Sequence, residues 1–242
     1  MSLHETHEDA EHNAPASGLP ELEPQDFSRM PDERSRNARL AILGGSFDPL
    51  HNAHMFLAGD LVRRGRADEV LFVPARRPPH KGGRILTPAE HRLEMLKQAI
   101  EPYDAFSVSD IELVKEDTSY TFDTLTLLSR AYPDHCLFFV MGLDSLVELH
   151  EWYRAPELVN RFNFIIYPRP GVHPPAYSNL VRDFGNRNAH KLMDSIMDTS
   201  SMPIAATDIR QLVGEEKNLS GLVPESVLAY IKAHKLYKGV AN

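Results

Sequence analysis

Cysteine is almost absent from this sequence of 242 residues, because Cys136 is the only one. An intrachain disulfide is therefore excluded, and a buried structural thiol within the apolar segment CLFFV is the simplest interpretation of Cys136. No apolar stretch approaches the roughly 20 residues that a membrane-spanning helix needs, and the N-terminus lacks the residue order of a signal peptide. We therefore expect a cytoplasmic protein without a membrane partner.

Net charge is small outside the N-terminal region. Residues 1–37 contain nine Asp and Glu residues against three Arg residues, whereas acidic and basic residues nearly balance over 38–242. The first segment is also rich in Glu, Pro, Ser and Asn and has no apolar period, which predicts a disordered acidic tail. Its HETHEDAEH start offers metal ligands, but a solvated tail is the simpler explanation. Residues 38–242 form one predicted domain, whose near-neutral charge argues against nucleic-acid binding.

Short apolar segments alternate with segments of helical period from residue 38 onward. The predicted strands are 38–43, 69–74, 106–113, 136–142 and 162–168, and the predicted helices are 54–65, 87–101, 120–132 and 223–237. This alternation predicts an α/β fold, with a Rossmann-like doubly wound parallel sheet, helices on both faces and a small C-terminal helical part. Ligands of such sheets bind at the carboxyl ends of the strands, where the strand order reverses.

Two local features complete the prediction of secondary structure. The helix 87–101 is expected to begin with Thr87 as N-cap, Pro88 at the first helical position and Glu90 closing a capping box. The stretch 172–198 shows no clear period, and we interpret it as a loop that holds at most one helix.

The segment GGSFDPLHNAH, residues 44–54, directly follows the first predicted strand. Gly44 and Gly45 allow a ligand to approach the backbone closely, and a helix start presents N–H groups to an anion. His51 and His54 are three apart, so they share one side of a helix and could donate to one phosphate group. A structural or capping pair, or an HxxH metal pair, is the alternative. Neither common glycine-rich phosphate motif, GxGxxG or GxxxxGK[ST], occurs here.

Seven ordered motifs make a resemblance specific. They are GGSFDPLHNAH, PPHK (78–81), SYT (119–121), GLDSL (142–146), EWY (151–153), RPG (169–171) and ATDIR (206–210). In this order they resemble the bacterial nicotinate-nucleotide adenylyltransferases, a family of the HxGH nucleotidyltransferase superfamily, over about residues 39–238. Two positions depart from the family pattern: Ala53 replaces the usual glycine between the histidines, and Ala205 replaces a frequent serine.

The resemblance implies transfer of AMP from ATP to nicotinate mononucleotide, which gives deamido-NAD and pyrophosphate in NAD biosynthesis. Its implied catalytic residues are His51, His54 and Arg210. The implied ATP-binding residues are Gly44, Gly45, Ser46, Phe47, His51, His54, Thr207 and Arg210. Mg²⁺ is the implied cofactor, bound through the ATP phosphates rather than by protein ligands.

The resemblance also implies a site for the second substrate. The residues it assigns to nicotinate mononucleotide are His80, Lys81, Tyr120, Thr121, Asp144, Trp152 and Tyr153. Tyr120 and Trp152 have flat faces that could sandwich a pyridine ring, although core packing is the plain alternative for the only tryptophan. For His80 and Lys81 the alternative is a solvated basic loop. Asp48 is expected to fix the turn before Pro49 rather than to touch substrate.

Three other classes of function share parts of these signals. A pantetheine-phosphate adenylyltransferase or a cytidylyltransferase would carry the histidine motif, but SYT, EWY and GLDSL favour the nicotinate family. A nucleotide-binding regulator without activity is disfavoured by His51, His54 and Arg210. A metal-dependent hydrolase is disfavoured because the 12 histidines are dispersed. The expected partners are ATP and nicotinate mononucleotide, and the sequence is compatible with a homo-oligomer.

Overall fold

The computed structural model describes residues 37–76, 86–114, 120–199 and 202–238. The predicted acidic tail, apart from its last residue, lies outside these residues, as do His80, Lys81 and Ser119. Predictions that concern them stay predictions.

The described residues form five strands and nine α-helices. The strands are β1 (Ala38–Gly45), β2 (Glu69–Pro74), β3 (Phe106–Val108), β4 (His135–Gly142) and β5 (Asn163–Tyr167). The helices are α1 (Asn52–Arg63), α2 (Ala89–Ile100), α3 (Thr121–Ala131), α4 (Leu143–Glu148), α5 (Ala155–Arg161), α6 (Tyr177–Phe184), α7 (Asn186–Asp194), α8 (Ala206–Gly214) and α9 (Glu225–Ala233). A 3₁₀ turn at Leu149–Glu151 joins α4 to the chain before α5.

All five strands are parallel and run in the order β3-β2-β1-β4-β5. Strand β1 is central, and Leu40 is paired with Glu69 of β2 on one side and Leu137 of β4 on the other. The chain moves outward from β1 to β2 and β3 and then returns to the other side of β1 for β4. The strand order therefore reverses between β1 and β4, which is where such sheets bind ligands.

The run Leu40–Leu43 in β1 is buried on both faces of the sheet. Ala41 and Leu43 belong to a cluster that includes side chains of α1, α2, α8 and α9. Leu40 and Ile42 face the opposite way, into a cluster that includes side chains of α3 to α7. Because successive strand residues point to opposite faces, this short apolar run supplies both layers. The predicted doubly wound α/β fold is confirmed.

Strand β3 is shorter than predicted. It ends at Val108, whereas the pattern predicted a strand over 106–113. The Ser109 N–H still donates to the Phe72 carbonyl, but the Ser109 hydroxyl then accepts from the Ile111 N–H. This local bond turns the chain out of the sheet, and the Leu113 N–H donates back to the Asp110 carbonyl.

Two further predictions of local structure are wrong. Helix α2 begins at Ala89 with Pro88 as its N-cap, and no side chain caps it, so the capping box assigned to Thr87 and Glu90 is absent. The region 172–198 holds two helices, α6 and α7, where at most one was expected. Each has fewer than ten residues, and they meet at Gly185, whose φ of 79° breaks the helical period between them.

A buried polar contact joins the C-terminal segment to the loop after β1. The Tyr237 hydroxyl donates to Asp48 Oδ1 at 2.9 Å, and Asp48 is only 1% exposed. Burial, and next the Asp48 charge, raise the pKa of Tyr237, so the hydroxyl keeps its proton and remains a donor. Asp48 therefore does more than precede Pro49 in the turn, because its side chain also binds the C-terminal segment of the chain.

We expect Tyr237→Phe to lower the free energy of unfolding by about 1 to 3 kcal/mol, because a buried carboxylate loses a hydrogen-bond donor. Tyr230→Phe is the matched control, since the Tyr230 hydroxyl contacts His91 Nδ1 at 2.9 Å on the partly exposed side of α9. Urea unfolding of both variants at neutral pH is the measurement. Equal losses in the two variants would contradict a special role for the Asp48 contact.

Candidate active site

The two histidines of GGSFDPLHNAH lie at the start of α1, with His51 as the N-cap residue. The His51 N–H donates to His54 Nδ1 at 3.3 Å, and the two rings stack with centroids 3.7 Å apart. Because Nδ1 of His54 is the acceptor, the neutral ring carries its proton on Nε2. His54 is therefore set as a donor through Nε2, and both imidazoles occupy one side of the helix start, as predicted.

His51 is only 6% exposed. Burial, followed by the positive charge of Arg169, lowers the pKa of His51 to about 4. The ring is therefore neutral at physiological pH in the absence of substrate, and it can donate one hydrogen bond without carrying a charge.

Arg210 of α8 provides the permanent positive charge beside this helix start. It is 7% exposed, and its Nη1 donates to the Asp48 carbonyl at 2.6 Å while its Nη2 donates to Thr207 Oγ1 at 3.0 Å. The first contact is to the GGSFDP loop and the second is to the first turn of α8. Arg210 thereby links two segments that are more than 150 residues apart in the chain.

A cavity of about 480 Å³ opens at the carboxyl ends of β1 and β4. All eight predicted ATP-binding residues line it: Gly44, Gly45, Ser46, Phe47, His51, His54, Thr207 and Arg210. Asp144 and Trp152, predicted for the second substrate, line the same cavity. The structure therefore brings together residues from four motifs that are spread over residues 44–210 of the sequence.

The other predicted residues have different positions. Tyr120 and Tyr153 contact each other, with ring centroids 4.6 Å apart, and neither is part of the cavity lining. Thr121 begins α3 directly after Tyr120. Trp152 is partly buried and packs edge to face on Phe139 of β4, at 6.1 Å between centroids. Tyr120 and Trp152 thus each have an aromatic neighbour, and their pairing around a pyridine ring stays a prediction.

Arg169 is a site residue that the sequence reasoning did not assign, although its RPG motif was noted. It lines the cavity, lies 3.6 Å from Asp144 Oδ1 and donates to the Tyr167 hydroxyl at 3.1 Å. Gly142 makes this pairing possible, because a Cβ there would lie 2.1 Å from Asp144 Oδ1 and 3.0 Å from Arg169 Nε. The available signal was an arginine directly after the predicted strand 162–168, because ligands of such sheets bind at the carboxyl ends of the strands.

Asp60 of α1 was also missed. It lines the cavity and is 1% exposed, and it pairs with Arg63, Arg64 and Thr199. Burial would raise the pKa of this carboxyl, but hydrogen bonds from Arg64, Arg63 and Thr199 together hold it below its usual value. Asp60 thus connects α1 with the segment that precedes α8.

The two departures from the family pattern lie on the cavity wall. Ala53 is the second residue of α1 and adds a methyl group beside the histidines. Ala205 is the N-cap of α8, with φ −117° and ψ 140°, and no side chain caps that helix. A serine at position 205 could have supplied an N-cap hydrogen bond, typically about 1 kcal/mol.

No group of three His, Cys, Asp or Glu side chains suited to a metal ion occurs within the described residues. The charged side chains on the cavity wall are Arg169, Arg210, Asp60 and Asp144, and Asp60 is already paired. This donor set suits an anion better than a bare cation. Across the same part of the chain, no helix has the length and apolar character that crossing a membrane requires.

Comparison with known proteins agrees with this geometry. A family model described as cytidylyltransferase-like matches residues 42–212. The chain is 36% identical over 201 residues to a probable nicotinate-nucleotide adenylyltransferase of Carboxydothermus hydrogenoformans, covering 83% of this chain and 98% of that protein. It is 34% identical over 200 residues to the nicotinate-nucleotide adenylyltransferase of Bacillus subtilis, covering 83% and 98%.

The chain belongs to the nicotinate-nucleotide adenylyltransferase family. The family predicted from the seven motifs is therefore confirmed. A solved structure of Plasmodium falciparum nicotinic acid mononucleotide adenylyltransferase complexed with NaAD has the same fold, with a TM-score of 0.67 at 20% identity. The alignment of the two structures covers 83% of this chain and 98% of the Plasmodium falciparum chain.

The lowered pKa of His51 makes stability depend on pH. The unfolded chain binds a proton at His51 near pH 6.5, whereas the folded chain does so only near pH 4. The contribution of neutral His51 to the free energy of unfolding is thus fully present above pH 6.5 and is lost as pH falls toward 4. Between pH 7.5 and 5, we expect the free energy of unfolding to fall by about 2 kcal/mol more in wild type than in His51→Gln, because glutamine does not titrate. Urea unfolding at both pH values checks this, and parallel losses would contradict it.

Proposed function

We propose that this chain catalyses the transfer of AMP from ATP to nicotinate mononucleotide, with release of pyrophosphate. The observation that carries the proposal is that His51, His54, Thr207 and Arg210 line the same cavity at the switch point of the sheet. Membership of the adenylyltransferase family supports the same reaction.

The triphosphate of ATP would lie over the start of α1. The amino end of this helix favours an anion, and Gly44 and Gly45 allow the ligand to come close to the end of β1. His54 would donate from Nε2, and His51 would donate from its neutral ring. A bound phosphate raises the pKa of a neighbouring imidazole, so negative charge that develops during transfer would be met by rings that become better cations.

Arg210 and Thr207 would hold the outer phosphates from the other wall of the cavity. The guanidinium is fixed by the Asp48 carbonyl and Thr207 Oγ1, so its charge is oriented before substrate arrives. Mg²⁺ would enter on the ATP phosphates and neutralise the pyrophosphate leaving group.

The reaction itself needs no protein nucleophile. An oxygen of the mononucleotide phosphate attacks the α-phosphorus of ATP, a new P–O bond forms, and the bond to the pyrophosphate oxygen breaks. The protein supplies positioning and positive charge. His80 and Lys81 are the proposed contacts of the mononucleotide phosphate.

The pyridine ring of the mononucleotide would lie toward Trp152, Tyr120 and Tyr153. Thr121 is the first residue of α3, so its backbone N–H has no acceptor within the helix and is directed outward at the amino end. Such a group, with the N–H of Tyr153, suits the carboxylate of nicotinate. Asp144 would contact a ribose hydroxyl.

The test is an assay of purified protein with ATP, Mg²⁺ and either nicotinate or nicotinamide mononucleotide. We expect pyrophosphate and the dinucleotide, with kcat/KM at least about 100-fold higher for the acid, because the amide would point a donor at the N–H groups. No product with either substrate would support a regulator without activity. Equal kcat/KM values would show that the SYT and EWY segments do not form the base pocket.

We expect His54→Ala to lower kcat by about 30-fold or more with a smaller change in the KM of ATP, because the Nε2 donor acts mainly on charge that develops during transfer. This corresponds to roughly 2 to 4 kcal/mol. The control is His190→Ala, since His190 packs on Tyr177 in the α6–α7 pair, away from the cavity lining. A raised KM with normal kcat in His54→Ala would assign the ring to ground-state binding alone.

A further inference from the structure

Arg92 of α2 is one of the largest fully buried side chains in the described part of the protein, with 1% exposure. Its guanidinium donates to three backbone carbonyls: Nη1 to Ser46 at 2.7 Å, Nη1 to Ala75 at 2.8 Å and Nε to Thr87 at 2.9 Å. None of these acceptors is a carboxylate. Burial accordingly lowers the pKa of Arg92 despite the nearby Asp48, Tyr237 and Glu90.

Burying a charge in this way is costly, and apolar side chains of similar size usually fill a core more cheaply. Unlike an apolar residue, however, Arg92 can donate hydrogen bonds to three backbone carbonyls. Ser46 belongs to the GGSFDP loop and lines the cavity, Ala75 follows β2 directly, and Thr87 precedes α2. One planar group with fixed donor directions thus sets the distances among three chain segments.

Two of these segments are also joined directly, since the Ala75 N–H donates to the Gly45 carbonyl at 2.8 Å. Ala75 and Thr87 in turn flank the part of the sequence that contains His80 and Lys81, the proposed contacts of the mononucleotide phosphate. Arg92 therefore contacts the GGSFDP loop through Ser46. It also contacts Ala75 and Thr87, the two described residues between which the sequence places His80 and Lys81.

We propose that Arg92 is a positioning residue for the transfer reaction, which holds the GGSFDP loop in a fixed position relative to the end of β2 and the start of α2. It touches neither substrate, and its effect passes through the carbonyls of Ser46, Ala75 and Thr87. This proposal rests on the proposed function, because alignment has a meaning only for a reaction between two bound substrates. Misalignment by about 1 Å can cost a factor near 100 in rate while each substrate still binds.

The experiment compares Arg92→Lys and Arg92→Gln with the control Arg39→Lys. Arg39 also fixes an end of β1, but at the amino end of the strand, where it donates to Asp68 and to the Gly65 carbonyl. The kcat, both KM values and the Tm are measured for each variant, at a temperature well below its own Tm. Wild type is assayed alongside, and an inactive wild type would refute the proposed function rather than the role of Arg92.

With an active wild type, we expect both Arg92 variants to lose at least about 10-fold in kcat while each KM changes by less than about 3-fold. Arg39→Lys should keep the kinetic constants of wild type, whatever its Tm. A kcat that falls less than about 10-fold in the Arg92 variants would overturn the proposal. Loss of the fold in both Arg92 variants would also overturn the proposal, because Arg92 would then be required for stability rather than for positioning.

Discussion

Parallel pairing of β1 with β2 on one side and with β4 on the other is the constraint on which the rest of the structure depends. The connections on the two sides of β1 run toward opposite edges of the sheet, so a crevice opens at the carboxyl end of β1 in the described part of the chain. The GGSFDP loop, the start of α1 and the end of β4 consequently border one cavity. The motifs that are scattered in the sequence meet there for topological reasons.

The electrostatics of this cavity depend on which groups are charged before substrate binds. Arg210 and Arg169 carry permanent charge, whereas His51 is kept neutral by burial and by Arg169. A third permanent cation, in the place of His51, would have to be buried close to Arg169 before any substrate binds. A titratable ring avoids that cost, and a phosphate placed against it would raise its pKa and with it its positive character.

The sequence was sufficient to predict the parts of the site that lie within one motif. The apolar run before Gly44, the glycines and the spacing of His51 and His54 predicted a strand end and a helix start, and both occur there. Arg92, Asp60 and the contact between Tyr237 and Asp48 were not found, because their partners are distant in sequence and an isolated polar residue in a helical pattern looks like a surface residue. Helices α6 and α7 were not recognised as two helices, because Gly185 interrupts the helical period between them after only a few residues on each side.

The distribution of buried polar side chains shows how the site is supported. Within the described residues six polar or charged side chains are buried: Asp48, His51, Asp60, Arg92, Thr124 and Arg210. Five of them belong to the segment 44–60 or contact it, and Thr124 is the exception. A loop that turns its backbone toward an anionic ligand leaves carbonyls on its inner side, and these need donors in a region without water. Arg92 and Arg210 meet that need at Ser46 and Asp48, so the two buried guanidinium groups hold the GGSFDP loop in one shape before any ligand arrives.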